Sequence, residues 1–115
     1  MRRGEIRLVD LDPVRGSEAS KQRPAVIVSN DGANSTAQRL GRGVITVVPV
    51  TSNVARIYPF QVSLEQSRTG LDRDSKAQAE QVRSIAVERV GPVLGRLPAD
   101  LIAQLDDAVR LHLAL

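Results

Sequence analysis

One arginine occupies a position where a positive charge is costly. Arg23 stands directly before a proline and the apolar run 25–29, so a permanent cation lies at the mouth of a segment that resembles a buried strand. Because an unpaired buried charge is strongly unfavourable, this cation is either paired with a carboxylate or kept for an anion. The next apolar run, 43–50, leads into the hydroxyls of Thr51 and Ser52. If these strand ends meet, Arg23 and Thr51 form a small cationic, hydrogen-bonding pocket.

Most other catalytic chemistries lack the residues they require. The chain has no Cys, which excludes thiolate nucleophiles, disulfides and cysteine zinc sites, and its one histidine is His112 near the end. A triad would need His112 to fold back onto a serine. The segment 41–43 lacks the rest of a phosphate-binding loop. Asp72 and Asp74 could hold Mg²⁺, but the glycine before them is more typical of a solvated turn. We therefore expect no metal and no cofactor.

The residues that remain for chemistry are Arg, Thr, Ser and Glu. Cleavage of RNA through its own 2′-hydroxyl fits this set, because the substrate supplies the nucleophile. The protein then needs only to position the RNA, stabilise charge and transfer protons. DNA lacks this hydroxyl, so the same site would leave it intact.

Composition permits such a substrate without selecting it. The chain of 115 residues has a net charge of +3, and Lys21 and Lys76 are its only lysines, so its cations are mainly arginines suited to planar contact with phosphate. Its length predicts a single domain over 1–115. It has no apolar stretch of about 18 residues, and its first residues pass directly into a strand pattern. We expect a cytoplasmic protein.

The first two-thirds of the chain has the pattern of short strands joined by turns. We predict strands at 5–9, 24–30, 43–50, 60–64, 77–86 with a bend near Gln81, and 91–97. The polar segment 31–34 is expected to break the second strand, and 35–40 to form one helical turn. The connection 10–22 is long, and such loops are typically functional or disordered.

The end of the chain changes to helical periodicity. After Pro98, apolar residues recur at helical spacing from Leu101 to Leu113, and proline is tolerated in the first turn of a helix. Strands followed by one terminal helix predict an α+β fold, a small β-barrel of short, mainly antiparallel strands with a C-terminal α-helix. The helix is expected to cap the barrel, and its exposed face could also support a dimer.

An ordered set of motifs also carries a resemblance to a known family. In chain order the motifs are Arg3-Gly4-Glu5-Ile6, Asp10-Leu11-Asp12-Pro13, Gly16-Ser17-Glu18, Gln22-Arg23-Pro24, Pro49-Val50-Thr51-Ser52 and Glu80-Gln81-Val82-Arg83-Ser84-Ile85. Over nearly the whole chain this order resembles the MazF/PemK (Kid) toxins of type II toxin–antitoxin systems. The resemblance implies an SH3-like barrel of CcdB/Kid/MazF type and a homodimer. It also implies metal-independent, sequence-specific cleavage of single-stranded RNA, leaving 2′,3′-cyclic phosphate and 5′-hydroxyl ends and inhibiting translation and growth.

The resemblance places the family's phosphate-binding residues on two positions. The catalytic arginine falls on Arg23, which would offset charge developing on the scissile phosphate. Proton donation by Arg23 is less favourable, because a guanidinium with a pKa above about 12 is a poor acid. The family's threonine falls on Thr51, which would donate to a phosphate oxygen, with Ser52 as a weaker candidate.

The general base has two candidates. Glu18 matches the family's glutamate in the first long loop, and Glu80 falls where some members place a carboxylate near the phosphate. Either could accept the 2′-hydroxyl proton, or could pair with Arg23 or Arg83 in the resting protein. Some members have a histidine before the loop glutamate, and here that position is Ser17.

Binding residues are expected to surround this catalytic set. The candidates for contact with RNA or antitoxin are Arg15, Ser17, Lys21, Gln22, Asn53, Arg56, Tyr58, Gln81 and Arg83. The only aromatic residues are Tyr58, which could stack on a base, and Phe60, which is expected to face the core. The family further implies a MazE-type antitoxin whose acidic C-terminal segment lies in the dimer groove, where Arg15, Lys21, Arg23 and Arg56 would contact both ligands.

Two other functions remain open at this point. CcdB-type toxins bind gyrase on the same barrel, but they end in Trp-Gly-Ile, whereas this chain ends in Leu113-Ala114-Leu115. A non-catalytic SH3-like nucleic-acid-binding module is the other alternative. It is favoured if a structural ion pair consumes Arg23.

Overall fold

The computed structural model describes residues 1–11 and 22–115. The elements are β1 (Glu5–Asp10), β2 (Gln22–Ile27), α1 (Asp31–Leu40), β3 (Val44–Thr51), β4 (Gln61–Leu64), α2 (Gln66–Thr69), β5 (Ser75–Gln78), β6 (Arg83–Ala86), β7 (Val90–Arg96) and α3 (Ala99–Leu113), with 3₁₀ turns at Ala79–Gln81 and Val87–Arg89. Arg15, Ser17, Glu18 and Lys21 lie outside the described residues. Among the helices described, none combines the length and apolar character needed to cross a bilayer.

The strands form one antiparallel sheet with β3 at its centre. The order is β4-β5-β3-β2-β1-β7, and β6 also pairs with β3. One side of β3 pairs with β2, while its other side pairs with β6 along its first half and with β5 at its end. The predicted α+β class, with an antiparallel sheet and a C-terminal helix, is confirmed. Within the described chain no ladder joins β4 to β7, so the sheet is open there rather than closed into a barrel.

The segment predicted as one bent strand, 77–86, consists of two strands. β5 and β6 both pair with β3, and the 3₁₀ turn Ala79–Gln81 separates them. The two registers against β3 differ by three residues, which is the length of that turn. The turn therefore takes Glu80 out of the ladder while keeping it beside the end of β5.

Both faces of the central strands are buried. Val26 and Val48 belong to a core cluster that includes Leu105 of α3. Their neighbours Ala25 and Val47 belong to a second cluster on the other face, beneath α1. This two-sided burial explains the nearly continuous apolar runs, since successive strand residues point to opposite faces. Packing on both faces thus fixes the interior of β2 and β3, and with it the direction of the strand ends that carry Arg23 and Thr51.

The polar segment 31–34 forms the first turn of helix α1. The side chain of Asn30 caps α1 by accepting a hydrogen bond from the backbone N–H three residues on. Asn34 is fully buried and donates from Nδ2 to the carbonyl of Ser29 at 2.8 Å. The second strand does end before this segment, as predicted, but the helix begins at Asp31 and not at residue 35. The earlier start was missed because these residues resemble a turn in sequence, whereas here they form a cap and a satisfied buried amide.

A glycine allows the segment after β4 to approach β7. A Cβ atom at Gly95 would lie 2.2 Å from the carbonyl oxygen of Thr69, the last residue of α2. That distance is far below ordinary contact, so the approach requires glycine. The short helix α2 therefore lies against β7 across the gap between the sheet's two ends.

A buried carboxylate joins β1 to β7. Glu5 is ion-paired with Arg7 at 3.0 Å and with Arg96 at 3.4 Å, and it accepts a hydrogen bond from the backbone N–H of Arg2 at 3.1 Å. Burial favours the protonated acid, but the Arg2 N–H and the Arg7 guanidinium outweigh it and hold the pKa of Glu5 below its ordinary value. These arginines have a structural role.

Candidate active site

Arg23 lies within β2 rather than before it. It pairs with Val9 of β1 and is half-buried. Its Nη2 donates to Oε1 of Gln78 at 3.2 Å. It contacts no carboxylate in residues 1–11 and 22–115. Unlike Arg7 and Arg96, it therefore meets a neutral partner there, which leaves its positive charge uncancelled.

The guanidinium of Arg23 reaches across β3. Gln78 belongs to β5, and β2 and β5 flank β3 on opposite sides, so a hydrogen bond between their side chains must pass over β3. The register pairs Ala25 with Pro49, and strand alternation places Arg23 and Thr51 on this same face. Arg23, Gln78 and Thr51 therefore share one face at the end of β3, and the two strand ends meet, which is the condition that the sequence left open.

Thr51 is the last residue of β3 and is half-buried. Its Oγ1 accepts a hydrogen bond from the backbone N–H of Asn53 at 3.2 Å. A hydroxyl donates one hydrogen and can accept in two directions, so its proton remains available to an anion on this face. Ser52 instead lines a cavity of about 240 Å³ together with Pro24 and Val50, which alternate with Arg23 and Thr51. Ser52 therefore lies on the opposite face of the sheet from Arg23 and Thr51.

Glu80 carries an oxygen that no described group satisfies. Its Oε2 accepts a hydrogen bond from Nε2 of Gln61 at 2.7 Å. Its Oε1 is buried and has no partner in the described part of the chain. Nor does Glu80 pair there with Arg23 or Arg83, so the resting ion pair left open by the sequence is absent from these residues.

Two facing glutamines bind the cation and this carboxylate, one each. Gln61 of β4 is directly opposite Gln78 of β5 in the register. Gln78 directs its carbonyl oxygen to Arg23, while Gln61 directs its NH₂ to Glu80 and accepts from the backbone N–H of Tyr58 at 3.1 Å. Sequence reasoning missed both glutamines. The only signal for them was a polar residue inside each of two predicted strands, and Gln61 is only 8% exposed.

The segment 52–60, between β3 and β4, is held by a buried lysine. Lys76 is 7% exposed and donates from Nζ to the carbonyl of Arg56 at 2.6 Å. Tyr58 stacks on Phe60 at 5.4 Å between ring centroids, and the Arg56 guanidinium lies 5.6 Å from the Tyr58 ring centre. Phe60 is half-buried in this stack, so its expected place in the core was wrong. Tyr58 remains 41% exposed and presents a ring beside the site.

The remaining predicted contacts are on the surface. Gln22, Asn53, Gln81 and Arg83 are exposed, at the start of β2, after β3, in the 3₁₀ turn and at the start of β6. His112 is exposed on α3, as expected. The structure thus places Arg23, Thr51 and Glu80 on neighbouring elements.

Comparison with known proteins identifies close relatives. The model of the PemK-like, MazF-like toxins of type II toxin–antitoxin systems matches residues 2–113. The chain is 69% identical over 115 residues to Endoribonuclease MazF9 of Mycobacterium tuberculosis, covering 100% of this chain and 98% of that protein.

Solved structures with a similar fold include toxin–antitoxin complexes. MazE-MazF from Deinococcus radiodurans superposes with a TM-score of 0.78 at 26% identity, over 100% of this chain and 96% of that one. An endoribonuclease in complex with its cognate antitoxin from a mycobacterial species gives 0.77 at 21% identity, over 100% and 96%, and supports the fold alone.

Proposed function

Because the chain belongs to the family of PemK-like, MazF-like toxins of type II toxin–antitoxin systems, we propose that it is an endoribonuclease toxin that cleaves single-stranded RNA without a metal. The observation that carries this proposal is the guanidinium of Arg23, which extends over β3 to a neutral amide on the face it shares with Thr51. A cation held in this way is ready for a phosphate. The 69% identity with an endoribonuclease over the full chain supports the same activity.

The proposed reaction uses the guanidinium of Arg23 and the hydroxyl of Thr51, which lie on the same face of the sheet. The 2′-hydroxyl of the RNA attacks the adjacent phosphorus, and the bond from phosphorus to the 5′-oxygen breaks. The leaving 5′-oxygen takes up one proton from solvent, which balances the proton lost by the 2′-hydroxyl, so the products are a 2′,3′-cyclic phosphate and a 5′-hydroxyl. Arg23 stabilises the negative charge that develops on the phosphate, and Thr51 donates to a non-bridging oxygen, where one such donor contributes roughly 3 kcal/mol.

A carboxylate must remove the proton from the 2′-hydroxyl. Glu80 is the candidate that the described residues support, because no donor among them satisfies its Oε1. Glu18 lies outside the described residues and remains the other candidate. Base contacts would come from the exposed side chains near the site, above all Arg56 and Tyr58, and would give the cleavage its sequence preference.

The detailed fold proposed is a single SH3-like domain over 1–115 whose sheet curves into a barrel. Its support is the approach of α2 to β7 at Gly95, which bridges the two ends of the strand order. Short helical turns that close the gap between end strands are compatible with a small barrel.

The proposed partners are a MazE-type antitoxin and a second copy of the chain, in the cytoplasm where translated RNA is found. Neighbouring structures include toxins bound to antitoxins. The groove that binds RNA would also attract an acidic antitoxin segment, through Arg23 and Arg56 and through Arg15 and Lys21 outside the described residues. Binding of antitoxin would thereby block cleavage and relieve the inhibition of translation and growth.

A non-catalytic nucleic-acid-binding module is less consistent with the site. That alternative was favoured if an ion pair consumed Arg23, and the partner of Arg23 among the described residues is a neutral amide. A gyrase poison has no supporting observation, whereas the match to an endoribonuclease spans the whole chain.

The test is cleavage of a long unstructured RNA in EDTA by the wild-type chain and by Arg23→Ala, purified identically. We expect defined cuts with wild type and almost none with the variant, which also controls for contaminating nucleases. Absence of cutting by wild type would contradict the function, as would equal cutting by Arg23→Ala.

A further inference from the structure

Gln78 has a position that neither the motifs nor the family pattern assigned. It lies on β5, is half-buried, and supplies the side-chain acceptor for Arg23 among the described residues. Directly opposite it on β4, Gln61 supplies the side-chain donor for Glu80. Each of these two charged groups therefore meets a neutral amide.

The orientation of both amides is fixed by their charged partners. A guanidinium only donates hydrogen bonds, so Gln78 must present its carbonyl oxygen to Arg23. An ionised carboxylate only accepts, so Gln61 must present its NH₂ group to Glu80. Gln78 and Gln61 thus each form one amide hydrogen bond with a charged group, and neither amide neutralises the charge it meets.

A direct ion pair would be a poorer arrangement for the reaction. Arginine and carboxylate groups form short, bidentate, charge-assisted contacts, and such a contact would consume the donors of Arg23. The bond to Gln78 uses one donor, from Nη2, at 3.2 Å. Within residues 1–11 and 22–115 no other side chain binds the remaining N–H groups of the fork, which can therefore bind two phosphate oxygens.

We propose that Gln78 is a positioning residue, which holds the Arg23 guanidinium over β3 without neutralising it. This inference rests on the proposed function, since it assigns to Gln78 a role in orienting the phosphate clamp. Gln78 acts through Arg23 and not by touching the reacting atoms. Its neutrality therefore matters as much as its length.

Three variants separate the effect of the neutrality of Gln78 from the effect of its hydrogen bond to Arg23. Gln78→Glu keeps the shape but places a carboxylate against Arg23, whereas Gln78→Leu removes the hydrogen bond and leaves the cation. Gln104→Glu adds the same charge on the exposed face of α3 and is the matched control. Single-turnover cleavage in EDTA gives the rate. The salt dependence of binding to an RNA with 2′-deoxy substitution at the cut shows how many phosphates the protein neutralises.

We expect Gln78→Glu to lose about 10²-fold in cleavage rate, the typical effect of disabling one stabilising donor. Its salt slope should fall by about 0.7, the value for one fewer neutralised phosphate on a single strand. Gln78→Leu should lose about 10-fold in rate with an unchanged slope, because the charge of Arg23 remains available. Gln104→Glu should match wild type in both measurements. Melting temperatures establish that each variant is folded, and Gln78→Met replaces the leucine variant if that one unfolds.

Wild-type cleavage alone decides the proposed function, so the two ideas can fail separately. If wild type cleaves RNA and Gln78→Glu retains its rate and slope, the inference is overturned while the function stands. Equal losses in Gln78→Glu and Gln78→Leu with unchanged slopes would show a packing role only and would also overturn it.

Discussion

Arg23 donates from Nη2 to Oε1 of Gln78 at 3.2 Å, a hydrogen bond that joins β2 to β5 over the strand between them. This relationship gives the arginine a defined direction and a neutral partner. Arg7 and Arg96, in contrast, surround the buried carboxylate of Glu5. The fold thus contains arginines paired with a carboxylate and an arginine whose partner in the described residues is a neutral amide.

Replacement of Arg23 by alanine should reduce the cleavage rate by about 10²–10³-fold, because charge on the phosphate loses its stabilising fork. Arg23→Lys should recover only a small part, since an ammonium cannot make the bidentate contact. Thermal unfolding should change little, because Arg23 has no ionic partner among the described residues. Arg42→Ala, at an exposed position, is the control. A loss of activity matched by a large loss of stability would indicate a structural arginine instead.

Thr51→Val should lower the cleavage rate by about 10–10²-fold, since it removes a hydroxyl that donates to the phosphate. Thr51→Ser should keep most of the activity. Removing the hydrogen bond from the Asn53 N–H should cost only about 1 kcal/mol in the free energy of unfolding. Rates in EDTA and urea unfolding curves measure the two effects, with Ser63→Ala on the exposed face of β4 as control. Full activity in Thr51→Val would remove this residue from the mechanism.

Lys76→Met should loosen segment 52–60 and weaken RNA binding more than it slows the chemical step. The lysine is buried and donates to the Arg56 carbonyl at 2.6 Å, and its Nζ lies 6.0 Å from the Tyr58 ring centre. We expect faster amide hydrogen exchange in this segment and a loss of about 1.5–3 kcal/mol in stability, typical for a hydrogen bond to a charged group. Arg39→Met provides an exposed comparison. Unchanged exchange in 52–60 would mean that Lys76 does not anchor it.

Stability should fall in acid because of Glu5. Its folded-state pKa is lowered, so the stabilisation is complete above its ordinary value of 4.5 and is lost as the pH drops through the lower folded value. Glu5→Gln should remove about 1–3 kcal/mol at neutral pH and flatten this acid dependence. Urea unfolding between pH 3 and 7 measures both, with Asp107→Asn, an exposed residue of α3, as control. An acid slope as steep in Glu5→Gln as in wild type would assign it to other carboxylates.

Regular patterns allowed much of this fold to be predicted from sequence. Alternation identified β1, a continuous apolar run identified β3, and helical spacing identified α3, because burial on one or both faces imposes those patterns. The start of α1 could not be predicted, since Asn30 and Asn34 satisfy their amides through contacts that composition does not reveal. The division between β5 and β6 depends on how both strands pair with β3, which is a property of the sheet and not of either segment.

The site was predictable where the chemistry of one residue is distinctive. Arg23 and Thr51 stood out because a cation precedes one apolar run and hydroxyls follow the next. Gln78 and Gln61 did not, because a neutral amide in a strand acquires its meaning only from the partner across the sheet. The roles of Glu18, Ser17, Arg15 and Lys21 stay predictions, since these residues lie outside the described part of the chain.

The most direct test of the central claim is made with one RNA oligonucleotide in two forms, all-ribose and with a single 2′-deoxy substitution at the cleaved nucleotide, each incubated with the wild-type chain in EDTA. If the substrate's own hydroxyl is the nucleophile beside Arg23, only the all-ribose form is cut, and mass spectrometry finds a 2′,3′-cyclic phosphate on the upstream product and a 5′-hydroxyl on the downstream one. Cleavage of the deoxy form at an equal rate, or products ending in 3′-hydroxyl and 5′-phosphate, would contradict the account.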